Sequence, residues 1–217
     1  MKFTAEFLSW LFLPLLMPIY GLIITMYVPS NQNYLFNEDS LFFLTSQAKT
    51  FILYMFFVFS VAAPGISFLV LRKRNIITTI DMENQGERSI PMIISLIYCL
   101  LLYFLFIYQF PSGVLPKYIY ALPLSGVFVT TIFAFINRWI KISLHAGGAG
   151  ILSGFMFAYA AEQAEFQFWI LIFAILASGL TIAARLFLKK HTQLEVYAGW
   201  TLATLLTFCV NYFYPIG

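Results

Sequence analysis

Two histidines serve the whole 217-residue chain, and both stand beside groups that could work with them. In the stretch ARLFLKKHTQLEVYAGW, Arg185 is followed after five residues by His191, and Glu195 comes four positions later. If that segment is helical, His191 and Glu195 share a face. A carboxylate beside an imidazole selects its tautomer and favours its basic form. In the stretch KISLHAGGAGILSG, Ser143 and His145 precede a glycine-rich helix start. Free N–H groups there attract an anion, and glycine lets backbone come close to a ligand. A third segment, DMENQGERSIPM, carries Arg88 and Pro91 at the opening of a helix.

Each feature also has a plainer reading. A single histidine at a membrane surface serves as a polar anchor. Ala146, Gly150, Gly154 and Ala158 recur every fourth residue, a pattern for close helix packing in lipid. Arg72, Lys73 and Arg74 read as solvated anchors, Asp81, Glu83 and Glu87 as solvated loop acids, and Pro91 as a first-turn proline.

The elements that must position these residues are membrane helices. The chain is 61% hydrophobic and 10% charged, with a mean hydropathy of +0.87. Soluble domains are roughly 45–50% apolar and about 25% charged. The long continuous apolar runs predict helices rather than strands. Seven candidates reach the roughly 20 residues a span requires: 7–28, 50–71, 91–110, 118–137, 144–163, 166–186 and 196–214. The first reads as a membrane helix kinked near Pro14 or Pro18 rather than a signal peptide, because its apolar part outlasts a typical h-region. The expected fold is an all-α integral membrane protein, one domain spanning 1–217, a bundle of six or seven transmembrane helices. Cys99 and Cys209, inside apolar runs with no motif spacing, suggest neither a disulfide framework nor a metal site.

Alternation of the loops brings 72–90, 138–143 and 187–195 to the side of the N-terminus. Ten of the twelve Lys and Arg lie on or near that side; Lys49 and Lys117 lie on the other. The positive-inside rule makes the ten-residue side cytoplasmic. Glu38, Asp39, Glu162 and Glu165 fall opposite, and the loop 29–49 carries no assigned role. Nothing suggests nucleic acid, because no aromatic reading platform accompanies the basic residues.

Taken in order, the three segments resemble the signatures of the type 2 phosphatidic acid phosphatase superfamily, which includes lipid phosphate phosphatases and, more distantly, vanadium haloperoxidases. The family's third signature is Ser-Arg, five residues, His, three residues, Asp; here it reads Ala184-Arg185, five residues, His191, three residues, Glu195. Val196, Ala198, Gly199 and Trp200 also look familial. The second signature, Pro-Ser-Gly-His, reads Ile142-Ser143-Leu144-His145. The first, Lys, six residues, Arg-Pro, keeps Arg88 but has Asp81 and Ser89 in the Lys and Pro places. The resemblance covers about 81–200, and both histidines land on histidine positions.

It implies a metal-independent, cofactor-free phosphohydrolase acting on a lipid or isoprenoid phosphate monoester or diphosphate through a phosphohistidine. His191 would be the nucleophile, Glu195 its orienting base, and His145 the acid for the leaving alkoxide. Arg88, Arg185 and the Ser143 hydroxyl would hold the phosphate, with Lys141, Arg138 or Lys189 available in place of the missing lysine. Arginine at membrane depth costs about 2.5–3.5 kcal/mol, which a bound phosphate would offset. The partners implied are the lipid substrate and the bilayer, expected to be a bacterial inner membrane. Bacterial relatives face this site away from the cytoplasm, whereas the charge count here places it on the cytoplasmic side. Two alternatives stand beside this reading. One is a non-catalytic member of the same fold that binds or transports a phospholipid. The other is an electron carrier with His145 and His191 as axial haem ligands, against which the surrounding cations and the signature spacing weigh.

Overall fold

The computed structural model describes residues 2–32, 40–79, 82, 84–110 and 114–215. It is an all-α membrane bundle, and among the described residues six helices are long and apolar enough to span a bilayer. Two helices, α3 (Ser46–Phe56) and α4 (Ala63–Lys73), are joined by a π-helical turn at Phe57–Ala62 into one span. Pro64 has no N–H to offer the Ser60 carbonyl, and the wider turn absorbs that gap. Then follow α5 (Ser89–Gln109), α6 (Tyr118–Ile136), α7 (Leu144–Glu162), α8 (Trp169–Phe187) and α9 (Gln193–Phe213). Outer faces are apolar at helical spacing, as with Ile93, Ile97, Leu101 and Phe104 on α5, which suits contact with lipid.

The expected first span, 7–28, is not one helix. It forms α1 (Lys2–Leu11) and α2 (Met17–Tyr27), separated by a non-helical stretch around Pro14. Pro18 sits in the first turn of α2, where a missing N–H costs nothing. Eleven residues reach about 16 Å, short of the roughly 30 Å hydrocarbon core. The chain nevertheless passes from one end of the bundle to the other beside α7. A Cβ on Gly148 would meet Pro14, a Cβ on Gly21 would meet Phe155, and Ser30 hydrogen-bonds Tyr159. Helix α1 packs on α8 and exposes Phe3, Phe7 and Trp10, a face suited to the membrane interface.

The closest helix pair is α7 with α9. Side chains on Gly150 or Gly154 would strike the Trp200 and Thr204 carbonyls at 2.5 and 2.4 Å. The small-residue pattern is thus a packing surface, and it holds the start of α7 against the start of α9.

The opposite end of the bundle is tied by buried polar groups. Lys117 and Glu162, which the sequence placed on the side away from the N-terminus, form a buried pair at 2.7 Å; Tyr118 also donates to Glu162, and Lys117 to the Tyr212 carbonyl. Ser30, Ser40 and Tyr159 share hydroxyl hydrogen bonds. Asn31–Gln32 (β1) pairs antiparallel with Gln163–Glu165 (β2). Glu38 and Asp39 lie outside the described residues, as do Asp81 and Glu83.

Candidate active site

Helix α9 begins with a capping box. Thr192 accepts from the Glu195 N–H, and Glu195 Oε2 accepts from the Thr192 N–H at 3.1 Å. The same Oε2 lies 2.8 Å from His191 Nδ1. One carboxylate therefore starts the helix and orients the imidazole just before it. The ring's other nitrogen, Nε2, faces Arg88 Nη2 at 3.5 Å.

Helix α8 ends so that this loop stays short. The Leu188, Lys189 and Lys190 N–H groups return to the Ala184, Leu186 and Arg185 carbonyls, with Lys189 in the left-handed region at φ 52°. Arg185 thereby sits in the last helical turn, 2% exposed, and His191 follows within one tight bend.

Arg88 arrives from the start of α5, also 2% exposed. Its Nε donates to the Met82 carbonyl at 2.9 Å and its Nη1 to the Ile142 carbonyl at 2.7 Å. The latter bond fixes the strand of chain leading into α7. The Ser143 N–H also donates to the Glu195 carbonyl, and Lys141 Nζ to the Lys190 carbonyl. A Cβ on Gly199 would lie 2.9 Å from the Ser143 oxygen, so the two helix starts can approach this closely only with glycine there. His145, in the first turn of α7, hydrogen-bonds the Ser9 backbone of α1 and lies within electrostatic reach of Arg185, His191 and Arg88.

Burial pushes the His191 imidazole down to about 4; the Glu195 hydrogen bond opposes this, and the Arg88 and Arg185 cations add to it. At neutral pH the ring is uncharged. With Nδ1–H donated to Glu195, Nε2 carries the lone pair.

Arg88, His145, Arg185 and His191 all line one cavity of about 520 Å³, within the roughly 300–1,000 Å³ of small-molecule sites. Glu195 and Ser143 are not among its lining residues and stand behind it. The Ser143 hydroxyl, expected to meet phosphate, caps α7 by accepting from the Ala146 N–H. The expected replacement cations do not reach the cavity wall: Arg138 is exposed over the Phe135 ring, Lys189 is exposed, and Lys141 bonds the loop carbonyl. Lys190 and Lys2 line the cavity instead, with Ser9 and Trp10 of α1. At the glycine-rich start of α7, Gly147 and Gly148 line the cavity and also admit neighbours closely, since Cβ atoms there would meet Phe133 and Pro14. Glu87, expected as a solvated acid, accepts from Thr78 and Asn84.

Thr192 carries a sequence signal of its own, the Thr-x-x-Glu capping box. Ser9 and Lys2 had none, because nothing in an N-terminal apolar run indicates that it folds over a distant loop. Among the described residues, no group of three or more His, Cys, Asp and Glu is arranged to hold a metal ion. Comparison with known proteins gives no match: no family model, no curated protein and no solved structure corresponds to this chain.

Proposed function

We propose that the chain is a membrane phosphohydrolase of the type 2 phosphatidic acid phosphatase kind, releasing phosphate from a lipid or isoprenoid phosphate. The observation that carries this reading is the relay Glu195–His191–Arg88. A neutral imidazole is held by its Nδ1 at a carboxylate, and its Nε2 stands beside a guanidinium on a cavity wall. In the reaction, His191 Nε2 bonds phosphorus as the bond from phosphorus to the alkyl oxygen breaks. His145 gives a proton to the departing alkoxide. Water, surrendering a proton to His145, then cleaves the phosphorus–nitrogen bond and frees phosphate and His191. Arg88 and Arg185 neutralise the oxygens throughout. The cation-rich end of the bundle faces the cytoplasm of a bacterial inner membrane in this reading.

A second reading keeps the ligand and omits the turnover. It is favoured by Arg88, which spends its Nε and Nη1 on backbone carbonyls, and by Asp81 in the place of the family's lysine. Purified protein assayed on a panel of lipid phosphates separates the two. Hydrolysis predicts inorganic phosphate and an acid-labile phosphoenzyme in wild type, and neither in His191→Ala. His145→Ala should be slower by about 10²–10⁴-fold and should accumulate phosphoenzyme on substrates with good leaving groups. Turnover by His191→Ala at the wild-type rate would reject the mechanism, and an inactive wild type across the panel would favour the second reading.

A further inference from the structure

The cavity does not end at the charged groups. On α5 it is lined from Arg88 through Met92, Ser95 and Cys99 to Leu102, a run of about 21 Å at 1.5 Å per residue. On α6 it follows the wall from Phe133 to Leu122, and on the α3–α4 span, which packs against α5, it runs from Phe68 to Phe56. It therefore reaches past the middle of a core about 30 Å thick.

Its two ends differ in chemistry. The cationic and imidazole groups lie at the α8–α9 loop end, while the deep walls are Phe56, Phe59, Cys99, Leu102, Leu122 and Val129. Thr130, at mid-depth, spends its hydroxyl on the Gly126 and Val127 carbonyls. Helices α5 and α6 seal one wall, since a Cβ on Gly126 would come within 2.8 Å of Cys99 Sγ. The π turn at Phe57–Ala62, which packs against α5, contributes Phe59 and Ser60. An interior apolar void forfeits packing contacts unless something apolar occupies it.

Resting on the phosphate reading above, we infer that this deep arm holds one hydrocarbon chain of the molecule whose phosphate binds at Arg88 and Arg185, and that its floor at Phe56, Leu102 and Leu122 sets the length of chain accepted. The substrate class is then a lipid phosphate that buries a chain inside the protein rather than leaving it in the bilayer. Residues 56, 102 and 122 determine specificity without touching the reacting atoms.

The test uses the full-length protein in detergent and monoalkyl phosphates from butyl to octadecyl, with inorganic phosphate and the matching alkanols as controls. Each methylene buried adds about fourfold in affinity. Affinity should climb with chain length and then stop where the chain meets the floor. Thr130→Phe should move the stop to shorter chains, and Leu102→Ala should move it to longer ones. Ligand-free unfolding temperatures identify a variant that failed to fold, and the other, moving in the opposite direction, then decides. A stop at the same length in all proteins, or no stop, overturns the inference. Alkanols binding as tightly as alkyl phosphates would overturn the coupling of chain to phosphate, and inorganic phosphate binding as tightly as the long-chain compounds would overturn the chain site. Phosphate release is read in the same samples. A moving stop without release removes the hydrolase reading and leaves this one; release without a stop does the reverse.

Discussion

His191 Nδ1 and Glu195 Oε2 lie 2.8 Å apart, and the same oxygen accepts the Thr192 N–H that begins α9. Folding of the helix end and orientation of the imidazole are therefore one event. Glu195→Gln tests the two roles separately. Glutamine also completes a capping box, so the unfolding temperature should change little. Under the proposed mechanism the lost charge should lower kcat by up to about 10⁴-fold, the scale of amidating a carboxylate that orients a catalytic histidine. Glu195→Ala should lose both activity and helix stability, the latter by about 1 kcal/mol. Wild-type turnover in Glu195→Gln would remove Glu195 from the chemistry.

Stability should carry the signature of the buried imidazole. An unfolded histidine titrates near about 6.5, whereas His191 in the fold is pushed down to about 4, chiefly by burial. Between those values the unfolded state binds a proton that the folded state refuses. The His191 contribution is complete above about 6.5 and is lost as pH falls towards about 4. Unfolding temperature measured across that range should fall more steeply in wild type than in His191→Gln. Identical slopes would mean that His191 is charged or exposed in the folded protein.

The spans and the convergence of three segments could be read from the sequence because lipid imposes long apolar runs and alternating loops. Gly150 and Gly154 could be read as packing residues for the same reason, as their spacing has one geometric use. What the spacing could not supply is which donors a loop spends on its own backbone. Arg88 anchors Met82 and Ile142, Ser143 caps α7, and Lys189 forms a helix end, all local hydrogen-bond choices that depend on three-dimensional neighbours. Lys117 and Glu162 lie 45 residues apart, and nothing local marks them as partners. The break at Pro14 was visible as a proline. Its consequence, α1 lying by the site with Ser9 at His145, was not.

That distant pair makes a stability prediction independent of the site. Lys117 and Glu162 are almost fully buried, and Glu162 also accepts from Tyr118. Glu162→Ala leaves a buried ammonium without its carboxylate, which costs about 3–5 kcal/mol. The double variant Lys117→Met with Glu162→Leu removes both charges and should recover most of that loss. Unfolding in detergent, followed by the tryptophan signal, measures both. A single variant as stable as wild type would mean that the pair is not buried in the folded protein.

Orientation follows from where the cations lie. Arg72, Lys73 and Arg74 are exposed at the end of α4 nearest the site, whereas Lys49 and Lys117, at the other end, are buried and engaged with Phe42 and Glu162. Exposed basic residues are thus concentrated at the site end more strongly than a count of loops suggests, and cations flanking a span resist translocation. Gln167, exposed just before α8, reports on the other end of the bundle. In a background with Cys99 and Cys209 changed to serine, Lys73→Cys and Gln167→Cys are labelled in intact cells with a maleimide that does not cross the membrane. Gln167→Cys should react from outside, and Lys73→Cys should react only after lysis. The opposite pattern would put the His191 site on the outer face and, under the proposed function, the phosphate-bearing end of the substrate in the outer leaflet.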